Sequence, residues 1–234
     1  MKLLLLLFSG LKLGKILTTG GSMFISVFAY SFIFGWRYAL GLVILIFCHE
    51  MGHYLAAKKL GLNVGAPTFI PFVGAWISLK EQPLKAEDEA YIGIAGPFIG
   101  AVSAFVCYCF ARQYESMLLL AISYAGFFIN LFNLIPLPPF DGGRITAAIS
   151  RKMWFVGAPV LIGMFLWHPS PILILMVILA APHIWSAIKG RSEDTRYYAV
   201  PFAKRVMYGL FYFGLLAYLA VMSNSVYNML SSVK

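Results

Sequence analysis

His49-Glu50-Met51-Gly52-His53 places three ionisable side chains within five residues of an otherwise apolar run. That run, residues 39–57, reads Ala-Leu-Gly-Leu-Val-Ile-Leu-Ile-Phe-Cys-His-Glu-Met-Gly-His-Tyr-Leu-Ala-Ala and is long enough, as a helix, to cross or nearly cross a bilayer. Ionisable groups at such depth are costly and mark a site rather than filler. Helical spacing of four puts both imidazoles on one face, about one turn apart, where they can grip a single cation. Glu50, next to the first imidazole, is placed to lean toward water beside the cation rather than the cation itself. The H-E-x-x-H pattern therefore offers two histidine metal ligands and a glutamate general base. Two core histidines satisfied by backbone carbonyls would be the bland alternative, and it leaves the third charge unexplained.

Working outward, the 234-residue chain is 61% hydrophobic and 12% charged, with a mean hydropathy of +0.82. Soluble domains lack this balance, and a polytopic helical membrane protein has it. The net charge of +9 does not point to nucleic acid, because the basic residues stand singly between apolar runs. No long polar stretch is available for a second domain. The expectation is one integral-membrane domain over 1–234, ending in C-terminal helices at about 153–224. Cys48, Cys107 and Cys109 each lie in apolar runs, and a separation of two points Cys107 and Cys109 to different faces of a helix. All three read as small apolar fillers.

Seven apolar segments follow one another, at roughly 18–36, 39–58, 90–111, 117–138, 153–167, 171–188 and 206–224. The fold class expected is an all-α bundle of about six to seven transmembrane helices. Residues 1–19 resemble a signal peptide only in part, since Lys12 and Lys15 stand where small residues would precede cleavage. An interfacial helix is the expectation there, lysines toward lipid headgroups. With seven crossings and a cytoplasmic start, fifteen of the eighteen Lys and Arg fall inside, leaving Arg37, Arg112 and Lys234 outside. That asymmetry satisfies the positive-inside rule and sets the orientation. A short chain without targeting signals fits a prokaryotic plasma membrane.

Two stretches break the helical pattern. Residues 62–83 are rich in Gly and Pro, and alternation through Phe69–Leu79 predicts short strands, a membrane-associated β-hairpin after the second helix. Strand edges at membrane depth must be buried in protein or line a wet cavity, and such an edge is able to pair with a substrate peptide. The second break is Asn130-Leu-Phe-Asn133-Leu-Ile-Pro136-Leu-Pro138-Pro139-Phe140-Asp141-Gly142-Gly143-Arg144. Its prolines end the helix near Pro136 and are expected to leave Asp141 on an extended segment. Asp141 lies three residues before Arg144, and His53 lies five before Lys58, so both reach a similar depth.

A catalytic zinc needs a third protein ligand beside the two histidines. Ala56 and Lys59 stand where one soluble metalloprotease class has a Gly and a third His, which excludes that class. Glu81, Glu87, Asp88 and Glu89 sit in a charged loop and read as solvated. His168 falls at the opposite membrane face and His183 late in the sixth helix, so Asp141 is the best candidate.

On these motifs the chain resembles the site-2 protease family of intramembrane zinc metalloproteases. The likeness rests on His49-Glu50-x-x-His53, on Asn133-x-x-Pro136-x-x-x-x-Asp141-Gly142-Gly143, and on Gly96-Pro97-Phe98-Ile99-Gly100 between them, and it covers about residues 18–150. It implies one Zn2+ held by His49, His53 and Asp141, with Glu50 as catalytic acid/base and Asn133 positioning or stabilising the reacting peptide. It also implies a membrane-spanning substrate, cut within or next to its spanning segment. Gly96 and Gly100 also suit a small-xxx-small helix contact. The competing class is a metal or proton transporter using the same polar cluster, which needs further acids or histidines stepping across the bilayer. The outer half offers almost none.

Overall fold

The computed structural model describes residues 11–72, 74–76, 85–189 and 196–232. Eight α-helices and one hairpin occur among them, in the order α1 (Leu11–Phe34), α2 (Trp36–Lys59), β1 (Thr68–Ile70), β2 (Gly74–Trp76), α3 (Ala86–Gln113), α4 (Met117–Asn133), α5 (Asp141–Ile149), a 3-10 turn (Arg151–Met153), α6 (Trp154–Trp167), α7 (Pro171–Lys189) and α8 (Phe202–Ser231). The helical membrane bundle with a hairpin after its second spanning helix is present as expected. By length and apolar content five helices can span a membrane: α1 from Leu17, α2, α3, α7 and α8. α4, with 17 residues, is at the lower limit for a crossing, and α6, with 14, falls below it.

α1 and α2 are separate helices because Gly35 takes a positive φ of 80°, a conformation that costs glycine little. Residues 11–19 are the first turns of α1 and continue without a break to Phe34, so the separate interfacial helix expected over 1–19 is not formed there. Residues 1–10 lie outside the described residues. A polar stripe along α1 meets the hairpin. The Thr19 hydroxyl donates to the Pro67 carbonyl at 2.7 Å, Ser22 accepts from the Phe69 N–H at 3.1 Å, and Tyr30 accepts from the Phe72 N–H at 3.0 Å. β1 and β2 are antiparallel, with Phe69 opposite Ala75.

α3 packs against α2, α4 and α5 and is the hub of the bundle. Its buried face is built from small residues, Gly93, Gly96, Gly100, Ala101 and Ala104, which let backbones approach closely. α4 and α8 share a core of Leu120, Phe127, Tyr212 and Leu219, while α6 and α7 pack around Trp154, Leu161, Leu173 and Ala180. Polar helix ends gather on one face. The Ala86 N–H donates to the Tyr197 carbonyl, Lys204 pairs with Glu87 at 3.1 Å, and Arg205 donates to the Ile149 carbonyl.

Asp141 is not on an extended segment: it is the first residue of α5. The extended residue is Phe140, just before it. Gly142 and Gly143 make the early helix start possible, because the loop folds back over them. A Cβ on Gly142 would sit 2.3 Å from the Leu134 carbonyl oxygen, and one on Gly143 would sit 2.2 Å from the Pro138 nitrogen. The loop's polar atoms are tied down as a buried backbone requires. Tyr212 donates to the Leu134 carbonyl at 2.7 Å, and the Trp154 indole to the Gly143 carbonyl at 3.0 Å. Since Tyr212 is on α8 and Trp154 on α6, the C-terminal helices buttress the segment that carries Asp141.

Candidate metal centre

Two helices bring three ligand atoms to one point. His49 and His53 project from one face of α2, with Nε2 atoms 3.1 Å apart. The Oδ2 atom of Asp141 lies 3.2 Å from each of them. All three residues are buried, and among the described residues they are the group of His, Cys and acidic side chains able to hold an ion. Glu50 is buried on the same turn, 8% exposed.

Each imidazole is held from behind. The Nδ1 of His53 lies 2.8 Å from the Ile92 carbonyl, and the Nδ1 of His49 lies 2.8 Å from Oδ1 of Asn130. With Nδ1–H donated in each ring, both Nε2 atoms face each other and the carboxylate as bare lone pairs. Such an arrangement is repulsive without a cation between them. A tetrahedral zinc with bonds of about 2.0–2.1 Å has ligand-to-ligand edges of about 3.3 Å, close to the observed separations. The donor set fits zinc.

α3 is shaped around this centre. A Cβ on Gly96 would lie 2.2 Å from Nε2 of His53, and one on Gly100 would lie 2.1 Å from Oδ1 of Asn130. Both glycines are thus needed for site side chains as well as for helix contact. Gly52, inside the His49–His53 motif, faces α3 so closely that a Cβ there would be 2.3 Å from the Ala95 carbonyl oxygen.

Charge continues outward from Asp141. Its Oδ1 lies 4.0 Å from Nη1 of Arg144, whose Nε is 3.8 Å from Glu89. Tyr197 donates to Glu89 from the segment before α8. Burial, and then the neighbouring Glu89 carboxylate, push that phenol well above the ordinary tyrosine range. Glu87 and Glu89 thus pair at the rim, half-buried in the first turn of α3 with Asp88 rather than solvated in a loop. Glu81 lies outside the described residues. His168 and His183 are exposed and stand outside the cluster, His183 with its ring edge-on to Trp154. The cysteines are free.

Asn133 is half-buried at the end of α4, and among the described residues its side chain makes no hydrogen bond. Asn130, one turn earlier, is the asparagine that touches a metal-site imidazole. Sequence pattern alone does not single it out. Its signal was an amide within an apolar helix one turn before the family motif, which does not say which way that helix is turned.

With this geometry in view, the likeness to known proteins is specific. The sequence profile of Peptidase family M50 matches residues 37–116, which take in the His49–His53 motif and most of α3. Zinc metalloprotease MJ0392 of Methanocaldococcus jannaschii is 32% identical over 118 residues, 48% of this chain and 34% of that protein. MJ0611 of the same organism, which also bears a zinc metalloprotease name, is 30% identical over 173 residues, 61% of this chain and 90% of that protein. The chain belongs to peptidase family M50. This is the site-2 protease family that the paired motifs resemble. Against MJ0392 the M50 chain spans about a third of the relative's length, and against MJ0611 nearly all of it. The solved Site-2 Protease from Methanocaldococcus jannaschii aligns with a TM-score of 0.47 and 23% identity, over 76% of this chain and 87% of that one.

Proposed function

We propose that this M50 protein is an intramembrane zinc metalloendopeptidase that hydrolyses peptide bonds within or next to the spanning segments of membrane proteins. The observation that carries the reading is the convergence of two Nε2 atoms and one carboxylate oxygen at 3.1–3.2 Å, inside a bundle built to cross a membrane. His49, His53 and Asp141 hold one zinc, which when bound polarises the scissile carbonyl and makes water a better acid. Glu50 takes the water's proton on its carboxylate and returns it to the departing amide nitrogen. Asn133, whose amide has no partner among the described residues, donates to the oxygen on which negative charge develops.

A spanning helix hides its carbonyls, so the substrate is cut in extended form. β2 is the strand that receives it, because the outer edge of β1 is closed. Pro67 and Pro71 flank Phe69 and lack an N–H, and the Phe69 N–H is already given to Ser22. With α4 and α6 crossing beside the five helices long enough to span, the orientation that places fifteen basic residues inside puts the site toward the cytoplasm, where water reaches it readily. Beyond this cluster, Glu50 and Asn130, the buried polar residues are the hydroxyls of Ser26, Ser123, Thr146 and Ser223, so among the described residues no buried acids or histidines step across the bundle as a transport path needs.

The purified protein is expected to bind one zinc per chain. Glu50→Gln is expected to keep that zinc and to lose cleavage of a membrane-spanning substrate by about 10²–10⁴-fold. A Glu50→Gln protein that still cuts overturns the assignment of the base. The same variant, used as a trap in membranes, identifies the substrate by the peptides it retains.

A further inference from the structure

We propose that Asn130 is a positioning residue of the metal centre, its amide fixing which ring nitrogen His49 offers to the cation, and that Gly100 leaves the space this amide occupies. This role rests on His49 being a zinc ligand, as in the proposed function, and on which groups can donate.

Asn130 is 2% exposed and makes two hydrogen bonds. Its Nδ2 donates to the Gly126 carbonyl at 2.7 Å. A carbonyl only accepts, so the NH2 end of the amide must face Gly126, and Oδ1 must face His49. Oδ1 in turn only accepts, so the Nδ1 of His49, 2.8 Å away, carries the hydrogen. The lone pair is then on Nε2, which lies 3.2 Å from Asp141 and 3.1 Å from His53. With the amide reversed, its NH2 would favour a lone pair on Nδ1 and a proton on Nε2, closing that nitrogen to a metal. Partners behind a ligating imidazole act in this way on tautomer and orientation.

The two histidines solve one problem by different means. His53 gives its Nδ1–H to a main-chain carbonyl, Ile92, which no side-chain substitution removes. His49 depends on a side chain, and that side chain depends on a gap in α3. A methyl group at position 100 would lie 2.1 Å from Oδ1 and 2.6 Å from Nδ2 of Asn130. α4 contributes the amide, α3 the space and α2 the ligand.

The test is zinc affinity by competition with a chelator, together with the ring N–H resonances of zinc-loaded protein labelled with ¹⁵N-histidine, which has four histidines. Asn130→Leu is expected to weaken zinc about 10–100-fold and to remove the hydrogen-bonded Nδ1–H signal of His49 while leaving that of His53. Asn130→Asp keeps an acceptor toward Nδ1 and is expected to keep both the signal and most of the affinity. Gly100→Ala is expected to weaken zinc alone, yet to add nothing to Asn130→Ala, because the clash disappears with the amide. Unchanged zinc binding in Asn130→Leu, equal losses in the Asp and Leu variants, or additive losses in the Gly100 and Asn130 pair each overturn the proposal. Wild-type protein that binds no zinc would instead overturn the proposed function.

Discussion

The glycines of α3 that face the site and Gly163, Gly209 and Gly214 on α6 and α8 are the same residue in opposite surroundings. On α3, a Cβ added at position 96 or 100 strikes His53 or Asn130 at 2.1–2.2 Å, while at Gly163 on α6 and at Gly209 and Gly214 on α8 it meets nothing within 4 Å. The burial around them differs likewise. α3 has ten buried residues against three on α6, where Leu166 and Trp167 are 74% and 81% exposed. Lipid solvates that outer surface as well as protein would, so apolar length suffices there. Around the centre, shape matters to a few tenths of an ångström. The lesson is that one membrane bundle contains both a site-bearing core that tolerates no extra methyl group and a periphery that does.

Substitutions at these glycines are the sharpest way to break that comparison. Gly96→Ala should be the most damaging: it forces the His53 ring aside, costs about 1–3 kcal/mol as an overpacked core residue does, and should abolish tight zinc binding. Zinc titration and thermal unfolding in detergent would measure both effects, and a zinc-tight Gly96→Ala protein would show that the α3 face is not moulded to the site. Tyr212→Phe tests whether the core extends into the C-terminal helices. It strips the partner from a buried carbonyl, Leu134, and should cost about 1–3 kcal/mol in unfolding. Weaker zinc binding is expected with it, because the same loop leads into Asp141. Smallest of all should be Gly163→Ala, stabilising α6 by up to about 1 kcal/mol through helix propensity, with zinc and cleavage unchanged. Clear destabilisation by Gly163→Ala would mean that α6 is packed more tightly than its open surroundings indicate.

The legible parts of the site are those encoded by short-range rules. His49 and His53 are readable as a pair because a spacing of four guarantees a shared helical face. Asp141 was readable as their partner because an acid beside a proline-rich break had to lie at the matching depth. The hairpin was readable from alternation, and the described strands Thr68–Ile70 and Gly74–Trp76 fall inside the stretch expected. The start of α5 at Asp141 was not, because Asp-Gly-Gly after three prolines reads as loop; only the close approach of Leu134 and Pro138 requires glycines within a helix. Nor could local pattern choose between Asn130 and Asn133. They differ by one turn on α4, and which of them meets His49 depends on how α4 is rotated against α2.

From the amino-acid order alone came the membrane class, the paired imidazoles, the glutamate beside them and the acid that would join them, since each follows from hydropathy or from a fixed helical repeat. Tertiary structure decided what stands behind those groups. Ile92 supports one ring and Asn130 the other, Gly96 and Gly100 leave the necessary space, and Tyr212 holds the loop from more than seventy residues away. Contacts of that kind depend on the rotation and separation of whole helices, which no local spacing rule can specify.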